Sequence, residues 1–193
     1  MSLTEKYSDC VKPVMLTGDT TYQSPRMDSV THTLMSIDYG HHEIHDGSSF
    51  TSTYIADKSI GTIMDILIVT PNTTKWAHLI WTIEGESELD ISLYRGATAS
   101  NNGTPLIVSN RNDNSANTPT TVCYHTPTVA SGSEGTLYRV WHTGSGKASG
   151  GGTRSDTERI FQQNTKYLFR ITATAAGWLA IKLDWYEHSS KTA

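Results

Sequence analysis

The sequence predicts an all-β chain, built as a two-sheet sandwich or a closed barrel. Three observations carry that expectation. Short runs of alternating apolar and polar residues recur, with turn residues roughly every 8 to 12 positions. Ser, Thr and scattered aromatics are abundant, and charged residues make up only 18% of the chain, against about a quarter in average globular proteins. Thr and aromatic side chains fit the pleated surface of a strand, and no long window has helical periodicity. At 193 residues the chain suits one domain with a substantial core.

In chain order, residues 1–27 are polar, with Pro13 and Pro25 as breakers and one apolar spot at Val14, Met15 and Leu16. They are expected to form an extended arm that docks on a neighbour, ahead of a sandwich domain over residues 28–193. Thr31, Thr33 and Met35 alternate with His32, Leu34 and Ser36 as a first strand. A second spans His41 to Asp46, ended by the turn pair Asp46-Gly47, and a third runs from Phe50 to Ala56. Ile63 to Val69 is almost continuously apolar, as expected of a strand covered on both faces. Ala77, Leu79, Trp81 and Ile83 share a face, and after Glu84-Gly85-Glu86 so do Leu89, Ile91 and Leu93, which reads as a half-buried hairpin.

Asn101-Asn102-Gly103 turns the chain into a short strand at Leu106 to Ser109. Asn110 to Pro119 is a polar loop, followed by strands at Val122 to His125 and Thr136 to His142. Gly144 to Asp156 is Gly/Ser-rich and expected to be a mobile surface loop. Its Gly146-Lys147 fails as a phosphate loop, because Ala148 stands where Ser or Thr is needed and Trp141 where the first Gly is needed. Tyr167, Phe169 and Ile171, then Leu179, Ile181, Leu183 and Trp185, read as a C-terminal hairpin. The total is roughly nine or ten strands.

The densest chemistry is at residues 38–50, where His41, His42 and His45 are three of the eight histidines. On a strand, His41, Glu43 and His45 would share one face. Two readings follow: a zinc, manganese or iron site using His41, His45 and Glu43 in a cupin-like manner, or a structural cluster of imidazoles and carboxylates. The spacing misses the His-x-His pattern of cupins, so the structural reading is favoured. Asp184, Trp185, Tyr186, Glu187 and His188 close the last strand and offer matching partners. No catalytic residues and no cofactor are expected.

The net charge of -4 and the lack of a basic run argue against nucleic acid as a partner. No apolar run is long enough to cross a bilayer. Cys10 and Cys123 are expected to be free thiols, as in a protein folding in a reducing cytoplasm. The first ten residues lack a basic-then-apolar leader pattern. The sequons at Asn72 and Asn102 therefore carry no weight.

The segments IDYGHHEIHDGSSF, TPNTTKWAHLIW and KLDWYEH resemble a family of tailed-bacteriophage capsid decoration proteins, also called cement or head-stabilising proteins. The likeness runs from about Ile37 to His188. It implies a jelly-roll-like β-sandwich with no enzymatic activity, made in the host bacterial cytoplasm and located on the outer capsid surface of the virion. It also implies a homotrimer whose partner is the major capsid protein. Trp76, Tyr94, Tyr138 and Tyr186 motivate an alternative, a carbohydrate- or receptor-binding module of a head fibre or tail.

Overall fold

A computed structural model describes residues 39–143 and 158–189, and strand pairing at residues 15–16 and 22–23. The chain divides into two units, residues 1–41 with 191–193, and residues 42–190. In the first, β1 (Met15–Leu16) pairs antiparallel with β2 (Tyr22–Gln23). Val14, Cys10, the rest of the expected arm, the strand expected at 31–36 and the glycine-rich stretch 144–156 lie outside the described residues.

The second unit is a sandwich. Eight strands form its frame: β3 (Ser49–Lys58), β4 (Ile63–Val69), β5 (Lys75–Gly85), β6 (Leu89–Arg95), β12 (Thr136–Thr143), β13 (Arg159–Phe161), β14 (Lys166–Ala173) and β15 (Gly177–Ser189). Between β6 and β12 lie the short strands β7 (Ala99–Asn101), β8 (Thr104–Pro105), β9 (Val108–Asn110), β10 (Val122–His125) and β11 (Thr128–Val129). One sheet has the order β12-β6-β14-β4-β10-β8, the other β13-β5-β15-β3-β9. β3 pairs with β15, β4 with β14, β5 with β13 and β6 with β12, all antiparallel. The chain is thus one long ribbon, doubled back between β6 and β12 and rolled up so that β5 also meets β15 and β6 meets β14. That is jelly-roll topology, so the all-β sandwich is observed.

Two expected hairpins are corrected. β5 and β6 lie in opposite sheets, and so do β14 and β15. The period of two was right in both cases: Leu79 and Ile83 face the core with Leu89, Ile91 and Leu93, and Ile171 with Leu179, Ile181 and Leu183. Alternation says which side chains turn inward, but not whether the neighbouring strand is joined by hydrogen bonds or lies across the core. The two crossing connections support each other: Glu86 N donates to Trp178 O (3.1 Å) and Thr174 N to Glu88 O (3.0 Å).

Between the sheets the core is continuous, with Phe50, Met64, Ile66, Phe169, Leu183 and Trp185 each almost fully buried. The aromatics interlock, Trp81 lying edge-on to Phe169 at 5.1 Å and Phe161 stacked on Tyr167 at 4.0 Å. The near-continuous apolarity of β4 is explained by a second cluster. Leu67 and Leu168 point to the outer side of the six-stranded sheet and are covered by Ala97, Ala99 and Val129, around the β7–β11 ribbon.

An ion triad holds the cover down. Arg170 grips both oxygens of Asp65 (3.0 and 2.8 Å) and Oε1 of Glu134 (2.7 Å). Hydrogen bonding from its own backbone, then the Arg170 guanidinium, keeps the Glu134 carboxyl below its ordinary range. A carboxyl lowered in this way stabilises the fold above its unfolded pKa and loses that contribution as pH falls through the folded value. Arg170→Ala should lower stability to urea by about 2 kcal/mol and speed amide exchange across residues 96–135. It should also flatten the acid limb of the stability–pH curve below the ordinary glutamate value of 4.5.

Candidate functional site

The histidine segment is a helix, α1 (Tyr39–His45), where a strand was expected. Its end explains the difference. Ser48 N donates to Glu43 O (3.0 Å) and Gly47 N to Ile44 O (3.0 Å), the paired bonds of a Schellman cap. Gly47 sits at φ +73°, and a Cβ there would lie 2.2 Å from Ser115 Oγ. Asp46-Gly47 therefore closes a helix, using the same residues that would close a strand. The expected shared face of His41, Glu43 and His45 does not exist. Glu43 turns inward and is 4% exposed, while His41, His42 and His45 are on the exposed side.

Glu43 is a structural group. Its Oε2 accepts from Ser48 Oγ (2.5 Å), and His42 Nδ1 lies 3.5 Å from its Oε1. The 110–117 loop clasps the turn after the helix: Asn110 Nδ2 donates to Gly47 O (2.8 Å) and Asn112 Nδ2 to His45 O (3.1 Å). Asn110, Asn112 and Ser115 each close a local turn onto the backbone N–H two residues on. The polar loop expected from sequence is thus an ordered clasp.

The closing strand places its residues in two environments. Trp185 and Glu187 point between the sheets. Trp185 is 1% exposed, tilted against Phe50 at 5.8 Å. Glu187 is buried at the end of the core and takes four donors: Thr120 N (2.8 Å), Thr120 Oγ1 (2.5 Å), Thr121 N (2.7 Å) and the Trp185 indole (3.2 Å). Its own N–H donates to Ser48 O (3.0 Å). It therefore ties the 111–121 loop and the α1–β3 turn to β15.

Asp184, Tyr186 and His188 point the other way. Asp184 contacts Lys182 (3.1 Å). Tyr186 and His188 belong to a cluster that sequence reasoning missed. Glu158 Oε1 lies 2.9 Å from His78 Nδ1 and 2.5 Å from Tyr186 OH, and His78 Nε2 lies 2.8 Å from His188 Nε2. Tyr186, read from sequence as surface-capable, is 5% exposed and stacked on His78 at 4.5 Å. Tyr186 OH also lies 2.9 Å from His78 Nδ1. His78 thus has contacts at both ring nitrogens, Nδ1 with Glu158 and Tyr186 and Nε2 with His188. Among the described residues no set of three or more His, Cys, Asp or Glu is arranged to hold a metal ion. The missing signal was non-local, since His78 and His188 meet only through the β5–β15 register.

At the same end of the sandwich, an open groove of about 460 Å³ runs by the edges of β12 and β13. Trp76, Arg95 and Tyr138 form its walls with the amides of Asn72, Gln163 and Asn164, and Phe161 and Tyr167 its floor. Tyr138 is 44% exposed, with the guanidinium carbons of Arg95 and Arg159 at 5.8 and 5.5 Å from its ring centre. Arg139 lies over Trp141 at 5.4 Å. The basic and aromatic residues thus meet where the two sheets part. Tyr94 is half-buried against the outer cluster instead.

No family model, no curated protein and no solved structure matches the chain.

Two side chains give direct tests. Glu187→Ala strands at least two backbone donors and the Trp185 indole, so it should cost about 3 kcal/mol of stability; Glu187→Gln should cost less, because it keeps an acceptor. Denaturant titration of both variants checks this. Cys123 is a fully buried free thiol, and burial, with Glu187 as a lesser cause, pushes its pKa up to about 12. In a Cys10→Ser protein, Cys123 should react with a disulfide reagent only when the chain is unfolded.

Proposed function

We propose that this chain is a structural virion protein that decorates the outer surface of a bacteriophage capsid, bridging major capsid subunits as a homotrimer. The observation that carries the reading is an apolar tip on a rigid jelly roll. Ile60 in the β3–β4 turn is 71% exposed and Ile63 at the start of β4 47%, while Ile55 and Trp178 on the other sheet are 63% and 42% exposed. Ile55 and Trp178 are near neighbours on the outer face of one sheet, since Ala180 pairs with Ile55 and Trp178 with Asp57. An exposed apolar pair of this size, with Ile60 and Ile63 also bare at the same end of the sandwich, favours a protein neighbour.

Two further features support it. The sequence segments that resemble decoration proteins fall on α1, on the β4–β5 turn with β5, and on β15. Edge strand β12 exposes Leu137 and Val140 by half, and self-association is one way to cover such an edge. A cyclic trimer would then multiply weak capsid contacts. A single contact of millimolar affinity is worth only about -4 kcal/mol, so tethering three together produces stable attachment.

Light scattering should give three times the chain mass. Labelled protein should bind expanded, DNA-filled heads and protect them against heat. Ile60→Asp with Trp178→Asp should remove head binding while leaving the melting temperature within a few degrees. A monomer that ignores heads would overturn the reading.

A further inference from the structure

We propose that the groove beside β12 and β13 is a binding site for an acidic, carboxylated oligosaccharide. The proposal goes beyond the capsid reading and does not depend on it. The groove and the apolar tip lie at opposite ends of the sandwich. Trp76 pairs with His188 at the end of β15 and Trp178 stands at its start, so ten residues, or about 33 Å, separate them.

The chemistry of the lining selects the ligand class. Trp76 offers a half-exposed indole, the flat apolar surface on which the C–H face of a sugar ring can rest. The amides of Asn72, Gln163 and Asn164 supply donors and acceptors of the kind hydroxyl groups need. Gln163 is held in place because its Nε2 donates to Thr73 O and to Lys75 O (3.0 Å), leaving its Oε1 to accept from a ligand. Asn164 is fixed at φ +49° by its turn, with its N–H donating to Pro71 O (3.0 Å). The groove is open along its length, as a chain ligand requires.

Charge narrows the class further. Among the described residues the lining contains Arg95 and no carboxylate, in a chain of net charge -4. Arg159, which donates to Tyr138 OH (3.3 Å), reaches the same ring. A guanidinium pairs with a carboxylate through two parallel hydrogen bonds. Arg95 on the wall is therefore the anchor for a uronate carboxylate, and the neutral amides and Trp76 read the rings beside it. Single-stranded nucleic acid calls for a row of aromatic platforms on which successive bases stack, whereas the described lining sets side-chain amides beside Trp76 and Arg95.

The test is calorimetric titration of the full chain with tetragalacturonate, maltotetraose and an octathymidylate. Tetragalacturonate should bind, and maltotetraose should bind at least about tenfold more weakly, as should tetragalacturonate to Arg95→Gln or Trp76→Ala. Arg139→Gln, outside the lining, should bind as the parent does. Arg95 is exposed, so its variant should fold even if the Trp76 variant does not. The proposal is overturned if tetragalacturonate does not bind at millimolar concentration, if the neutral sugar or the nucleotide binds equally well, or if Arg95→Gln leaves the affinity unchanged.

Discussion

The seating of β15 between β3 and β5 is the constraint on which the rest of the sandwich depends. Its thirteen residues bond to β3 from Gly177 to Tyr186 and to β5 from Leu179 to Ser189. A slip of one residue would turn Leu179, Ile181, Leu183 and Trp185 out of the core. It would also move Glu187 away from Thr120 and Thr121, and His188 away from His78. The ribbon closes only when β15 has joined β3, more than a hundred residues before it in the chain. Such non-local pairing is slow to form, and the satisfied Glu187 carboxylate rewards only the correct register.

Much of this was legible in the sequence, and the limits of legibility have physical causes. Alternation placed the inward rows of β5, β6, β14 and β15 correctly, since a period of two follows from the pleat. It did not reveal that each adjacent pair spans the core, because a hairpin and a crossing connection leave the same row of apolar residues. The helix α1 was hidden because a seven-residue element gives little room for a hydrophobic period, and Asp-Gly serves equally as a strand turn and a helix cap. Leu67 reported a second buried layer through the near-continuous apolarity of β4, whereas Leu168, in an alternating strand, did not. The expected arm, the strand at 31–36 and the glycine-rich stretch fall outside the described residues.

The candidate site was less legible than the fold. His41, His42 and His45 drew attention by their density, yet of these three and Glu43 it is Glu43 that is buried. Glu187, an ordinary member of a closing motif, proved to be a buried carboxylate with four donors. His78 and Glu158, with no local signal, form a partly buried hydrogen-bonded cluster with Tyr186 and His188. Trp76 and Tyr138 stood out as aromatics, but their convergence with Arg95 on one groove follows from sheet order alone. Residues far apart in the chain meet at the ends of a jelly roll, so its functional surfaces are the part that sequence spacing conceals most.

The proposed role divides the sandwich between its packed middle and two different ends. The middle is a hydrogen-bonded and closely packed frame, one end is apolar and suited to a protein lattice, and the other is polar, basic and aromatic. The most direct measurement is the copy number of this chain in purified virions, by quantitative mass spectrometry against the major capsid protein. The decoration account predicts copies in a fixed ratio to the capsid protein, on the scale of the whole lattice. A handful of copies per particle, matching a tail or fibre, would contradict it.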